Sequence, residues 1–300
     1  MIAHMLPQSG RVLGIDVGYS LKRPTTAFCC LSWTGDAITW TQSSATAEQM
    51  HRKHALLGIR GQDESQFLSV AIDGPLKPHL EHCNAYRTAE CVLSRGIFQK
   101  RGKPGQTNAG SGPQLHKHAT LLAKMVLLEC KVESARMPFA ASSSGVYEAF
   151  PNLFLGVLCA ESEYPVRPAR GRHWTDCLFP LVSSRLDELI GSLLPNRSSA
   201  SVVTIAGHEA IAAFTCAVTA LAAAAEHCIA VGDPTDGYIL LPPLSFWGLS
   251  ADGDPWAERE LRKNLSRLSC DKTGVQPPQV YRGAEILDLR PNRMNCTNES

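Results

Sequence analysis

Four acidic side chains stand where apolar segments stop or a helix starts. Asp16 closes RVLGID, Asp73 closes FLSVAID, Glu148 sits in GVYEA, and Glu209 follows His208 at the head of an Ala-rich stretch. Hard divalent cations such as Mg2+ or Mn2+ take oxygen ligands, and clustered carboxylates become tolerable in a core when a cation offsets their repulsion. Two such ions roughly 3.5 to 4 Å apart activate a water and stabilise the leaving oxygen of a phosphodiester. Asp16, Asp73, Glu148 and Glu209 are therefore candidate metal ligands and catalytic groups, with His208 as a candidate proton carrier.

Each acid also has a plainer reading. Asp16 precedes Gly18, and Asp73 precedes Gly74 and Pro75, all ordinary turn formers. Two apolar segments that end alike, IDVG and IDGP, weaken that reading. Glu148 lies inside a short strand, where a carboxylate is costly unless it is paired or at an edge. Glu209 would favour a helix dipole at an N-terminus by about 0.3 to 1 kcal/mol without any further role.

Basic residues cluster nearby in sequence. Lys77, Arg87, Arg95, Lys100, Arg101, Lys103 and Lys117 face only Glu81 and Glu90 over the same stretch. Lys100, Arg101 and Lys103, at the start of the Gly-rich loop KRGKPGQTNAGSGPQ, and Lys117 just beyond it are candidate contacts to a nucleic-acid backbone; the plainer alternative is a solvated loop. His79, His82, Cys83, His116 and His118 lack a recognised zinc-finger spacing. GQTNAGSG lacks the Lys and Ser/Thr of a phosphate-binding P-loop, and no GxSxG nucleophile elbow occurs.

The elements that must hold these residues can be read from periodicity and turn signals. Arg11 to Val17, Thr26 to Trp33 and Ala37 to Ser43 read as an antiparallel meander, the last two joined by a TGD turn. A helix follows from Ala47 to Leu57, then a fourth strand, Phe67 to Ile72. Residues 76 to 114 read as irregular. A helix from Leu115 to about Ala135 leads to a strand at Gly145 to Ala149 that Pro151 breaks. Trp174 to Leu194 is helical, Pro195 to Ala200 is a linker, and a long helix starts at about Gly207. After VGDPTDGYILLPP periodicity fades, leaving a short helix from Trp256 to Leu268 and a tail without clear elements.

Composition limits the options. A chain of 300 residues with 44% hydrophobic and 19% charged residues and a formal net charge of +1 is an ordinary globular protein, so overall charge decides nothing about nucleic acid. The 11 cysteines are odd in number and form no CxxC pair, and the N-terminus lacks a charged segment followed by an apolar one. Both point to reduced thiols and a cytoplasmic location. The longest apolar run, Ile211 to Ala225, is interrupted by Thr215 and Thr219 and falls short of the roughly 20 residues a membrane span needs, so no membrane partner is expected. Oligomeric state stays open, with a homodimer among the options.

Taken in order, GIDVG, AIDGP, a Gly-rich loop with KPG, YEAFPN and GHEAIAAFTCAVTA resemble the DUF429 family of predicted nucleases with the RNase H-like fold, from about Arg11 to about Pro243. The resemblance implies an α/β protein: a mixed sheet, antiparallel in its first three strands and parallel in the later ones, flanked by helices. Residues 1–253 would form this domain, with an irregular basic insertion at about 76–114, and 254–300 a C-terminal helix and tail. It maps Asp16 onto the first-strand acid, Asp73 onto the fourth-strand acid and Glu209 onto the acid of the late helix. Many relatives carry a second acid three residues along that helix, where this chain has Ala212, so Glu148 would have to substitute. The implied function is a metal-dependent nuclease or phosphodiesterase using Mg2+ or Mn2+ and acting on DNA or RNA. Two alternatives stand beside it. One is a binding protein for nucleic acid or a protein partner that keeps the fold without turnover. The other is an actin-like ATPase or kinase, suggested by GIDVG, for which VGDPTDGY is a poor second phosphate turn.

Overall fold

The computed structural model describes residues 6–61, 65–165, 173–199, 202–270 and 278–289. The first five residues and the tail from 290 onward, on which some sequence expectations fall, lie outside them. In chain order the strands are β1 (Ser9–Asp16), β2 (Thr26–Thr34), β3 (Ala37–Ala45), β4 (Val70–Asp73), β5 (Val146–Ala149), β6 (Ser198–Ser199), β7 (Ile229–Asp233), β8 (Gly237–Leu241), β9 (Gln279–Arg282) and β10 (Glu285–Ile286). The helices are α1 (Gln49–Arg60), α2 (Thr88–Leu93), α3 (Gly112–Glu129), α4 (Pro151–Leu158), α5 (Trp174–Leu193), α6 (His208–Ala224) and α7 (Trp256–Cys270).

All ten described strands belong to one mixed sheet, ordered β10-β9-β7-β8-β5-β4-β1-β2-β3-β6. β1, β2 and β3 form the expected antiparallel meander, while β4 runs parallel to β1 and β5 parallel to β4. This is the RNase H-like α/β arrangement anticipated from the sequence. The later strands are not uniformly parallel, however: β8 is parallel to β5, but β7 and β9 run antiparallel to their neighbours. VGDPTDGY is the tight turn of the β7–β8 hairpin. There Asp233 Oδ1 accepts the Thr235 and Asp236 amides at 2.6 and 3.1 Å.

Both faces of the central sheet are covered, which explains why β1 reads as an almost unbroken apolar run. Side chains alternate between faces along a strand. Leu13 and Ile15 of β1 join Val70, Ile72 and Val146 in a core roofed by α1 and α3. Val12, Ala71, Tyr147 and Ala149 join the opposite core, with α4, α5, α6 and α7. From Ile211 to Ala224 helix α6 is buried on every side, and it is accordingly poor in polar side chains there. It lies hard against β1: a Cβ placed on Gly14 would sit 2.2 Å from the Ala213 carbonyl oxygen and 2.1 Å from the Ala217 nitrogen.

Several boundaries differ from the sequence reading for identifiable reasons. Pro151 starts α4 rather than merely ending a strand, since its missing N–H costs nothing in the first turn of a helix. The irregular segment 76–114 contains α2 and is tied down by buried side chains. Beyond residue 253 the expected helix is present as α7, and the described residues after it add strands β9 and β10 where the sequence shows no clear element. Trp256, Ala257 and Leu261 of α7 are completely buried in the main core, and β9 extends the sheet beside β7. No helix among the described residues is long and apolar enough to cross a membrane.

Candidate functional site

The acids at the ends of β1 and β4 are direct neighbours. Asp16 pairs with Asp73 in the parallel register, so both side chains leave the sheet on the same face, the one carrying α6. The chain puts acids here because an apolar strand can carry a polar residue only where it leaves the core. The two carboxyls share a hydrogen bond, while Asp73 Oδ1 is buried and has no partner. Burial, the nearby Asp73 charge and then Glu209 hold the Asp16 carboxyl well above the usual carboxylate range. Burial, with a smaller contribution from Glu148, pushes Asp73 up to about 7, against the opposing effect of its hydrogen bond with Asp16. Adjacent buried carboxyls oppose each other's ionisation in this way.

Glu209 is the second residue of α6 and half-buried. Its charge reaches Asp16. It also borders an open groove of about 290 Å³ lined by Pro24, Gln42, Ser43, Ser44 and Gly207, among others. Further along the same helix Ala212 is buried and offers no donor, and Cys216 is fully buried with its thiol pushed up by desolvation and by both aspartates. Asp16 and Asp73 thus present two carboxyls on one face, with the Glu209 charge within electrostatic reach of Asp16. Among the described residues, no group of three or more His, Cys, Asp or Glu side chains is close enough to make a ready cage.

Glu148 does not join them. It is in register with Ile72, one residue before Asp73, so alternation along the strand sends it to the opposite face. There both its oxygens are taken by Arg87, at 2.6 Å from Nη2 and 2.7 Å from Nη1, and the Leu76 amide donates to it at 2.7 Å. Arg87 also donates to Glu90 at 2.9 Å and to Thr107 Oγ1 at 3.1 Å, and the Thr107 hydroxyl and amide both donate to Glu90. This buried network ties α2 and the Gly-rich loop to β5. It makes Glu148 a structural residue, not a metal ligand. Arg87 and Glu90, at an (i, i+3) spacing beside a helix start, were visible in YRTAE; their link to Glu148 was not.

His208 also turns away. Its imidazole lies against α5, with Nδ1 2.5 Å from Thr175 Oγ1 and the ring stacked 3.8 Å from that of His173. Burial and the neighbouring His173 lower its affinity for a proton. Those contacts orient it toward α5, not toward the aspartates, and they do not support a proton-carrying role.

The basic candidates divide. Lys100 and Lys103 are exposed on the loop, and Lys117 is exposed on α3. Arg101 is committed to the fold: its guanidinium lies 4.6 Å from the Trp256 ring centre and 5.0 Å from that of Tyr164, with Glu161 at 3.5 Å. Of the zinc candidates, His116 has both nitrogens engaged, with Nδ1 2.8 Å from the Pro75 carbonyl and Nε2 accepting from the Cys83 amide at 2.9 Å. The sequence reading missed buried Arg52, which donates to the Gly18 carbonyl just past β1 and lies 3.0 Å from His118 Nδ1. An Arg at a core position of an amphipathic helix was the available signal. No protein-family model matches the chain, and no curated protein or solved structure matches it either.

Proposed function

We propose that this protein is a metal-dependent phosphodiesterase acting on nucleic acid, with its reacting centre at Asp16 and Asp73. One observation carries the reading: two buried carboxyls lie side by side at the ends of adjacent central strands, one oxygen lacks a partner, and their protons are held far above the usual range. A fold has little reason to keep such a pair for stability, because neighbouring buried acids oppose each other's ionisation. Asp16 and Asp73 would hold Mg2+ or Mn2+, and the charge of Glu209, at the head of α6, reaches Asp16. A bound cation of this kind activates a water and offsets charge on the phosphate oxygens. The aspartates fix the cation on rigid strand ends, Glu209 adds negative charge from the open side, and exposed Lys100, Lys103 and Lys117 supply contacts for the phosphate backbone.

The test is cleavage of labelled single-stranded DNA and RNA in Mn2+. Asp16→Asn should lose activity by roughly two orders of magnitude or more, as expected for a metal ligand. Activity that survives this substitution overturns the assignment. A second reading is favoured by Ala212 and by the engagement of Glu148 with Arg87, which leave fewer donors than a two-ion site needs. In that reading the protein binds nucleic acid without cleaving it. Calorimetric titration with Mn2+ separates the two, since a degenerate site takes up no cation.

A further inference from the structure

Two polar side chains interrupt the apolar face of α7. Trp256, Ala257, Leu261 and Leu265 recur at helical spacing and are buried, and Glu260 and Asn264 fall on the same stripe at 3% and 0% exposure. Asn264 is accounted for in part. Its Nδ2 donates to the Val92 carbonyl at 3.0 Å and to the Arg95 carbonyl at 3.2 Å, which fixes the amide with Oδ1 on the other side. That oxygen and Glu260 Oε1 are both buried, and neither has a donor among the described residues.

The two oxygens belong to one place. Their residues lie about one helical turn apart on α7, and both side chains reach the Arg95–Gly96 peptide: Asn264 at the Arg95 carbonyl, and Glu260 so close over Gly96 that a Cβ there would collide with Oε1. Gly96 has φ +59°, so the left-handed backbone and the close approach both call for glycine. Lys263 does not serve the pair. Its ammonium is 3.8 Å from Oε2, the other carboxylate oxygen, beyond hydrogen-bond reach, and its side chain is half exposed.

From this geometry we infer that the crevice between α7 and the Arg95–Gly96 turn is a site for a monovalent alkali cation, K+ or Na+, bound by Glu260 Oε1 and Asn264 Oδ1. Both unserved atoms are acceptors, so the occupant must donate or carry positive charge. A water molecule can donate to both, but it leaves the carboxylate charge buried, and burying a charge costs far more than burying a dipole. One carboxylate among neutral oxygens balances a single positive charge. A divalent ion would leave a surplus, and Mg2+ gives up its waters reluctantly. Neutral carbonyl oxygens do replace the hydration shell of an alkali ion. The cation would pin α7 to the chain just past α2, and the inference is independent of the reading of Asp16 and Asp73.

Circular-dichroism melting in potassium, sodium and tetramethylammonium chloride at one ionic strength tests the site, because the bulky organic cation screens charge equally but cannot enter the crevice. The melting temperature should be higher by about 2 °C or more in K+ or Na+ than in tetramethylammonium. Glu260→Gln keeps the shape and replaces the charge with an amide that can donate to Asn264 Oδ1, so it should fold and lose that gain. A wild type that melts alike in the three salts, or a Glu260→Gln variant that keeps the full gain, overturns the inference. Should the variant fail to fold, diffraction from wild-type crystals grown in rubidium chloride decides. An anomalous peak between Glu260 Oε1 and Asn264 Oδ1 supports the site, and a water there without anomalous signal overturns it. EDTA, added as its tetramethylammonium salt, keeps divalent ions from Asp16 and Asp73, so failure here leaves the cleavage result with Asp16→Asn standing.

Discussion

At the residue scale the decisive feature is the conflict between Asp16 and Asp73. Without a cation the pair holds a proton that the unfolded chain would release, because Asp73 titrates at about 7 instead of 3.8. A carboxyl whose folded value is raised binds more protons in the folded state than in the unfolded one. Stability therefore falls as pH rises from about 3.8 to about 7, and the full penalty is present above the folded value. Asp73→Asn removes the ionisation and should make the cation-free protein more stable than the wild type above that window, with the advantage shrinking toward its acid end. Urea unfolding in EDTA at both ends measures this. A variant less stable than the wild type throughout would show that the pair supports the fold. Addition of Mn2+ should raise the melting temperature of the wild type and leave that of Asp73→Asn nearly unchanged.

At the scale of elements, the site depends on how closely α6 approaches the sheet. Glu209 and Asp16 belong to different elements, and their separation is set by the contact between Gly14 and the backbone of Ala213 and Ala217. Backbone atoms at that distance cannot rotate away as a side chain can. Gly14→Ala must push α6 outward or bend β1, at a cost of about 3 kcal/mol, the upper part of the range for overpacking. Chemical denaturation should show that loss, and calorimetry should show weaker Mn2+ binding in the fraction that still folds. Unchanged stability would mean that the helix has room to move. On the opposite face, the Arg87 network does the equivalent work for the loop that carries Lys103, fixing it to β5 through Glu148 and Glu90.

On the scale of the whole molecule, one sheet carries the described strands from Ser9 to Ile286. The last segment matters to the first. Trp256 is fully buried against Phe98 and Tyr164, its indole N–H donating to the Cys159 carbonyl at 2.9 Å, and β9 covers the outer edge of β7. A chain ending at residue 253 would expose that apolar surface and leave β7 as an open edge, a template for aggregation. We expect it to be insoluble or to lack a cooperative thermal transition. A soluble, cooperatively melting fragment would show that residues 254–300 are dispensable for the fold.

Much was legible in the sequence because it is local. An apolar run that halts at an acid and a glycine is a strand end wherever it sits, so the β1–β3 meander, the end of β4 and the acids Asp16 and Asp73 follow from chain order alone. Helix α6 follows from composition, since a segment so rich in Ala and so poor in charge can only be buried. Which acids meet was not local information. Residues 74–145 separate β4 from β5, and the register across that gap is settled by packing. Register places Glu148 beside Ile72 instead of Asp73, and in a structure whose side chains alternate by one residue, that offset sends it through the sheet to Arg87. The sequence by itself determined which carboxyls reach the strand ends. Only the tertiary structure decided that Asp16 and Asp73 share a face while Glu148 does not, because strand parity is fixed by pairing partners that the local sequence does not contain.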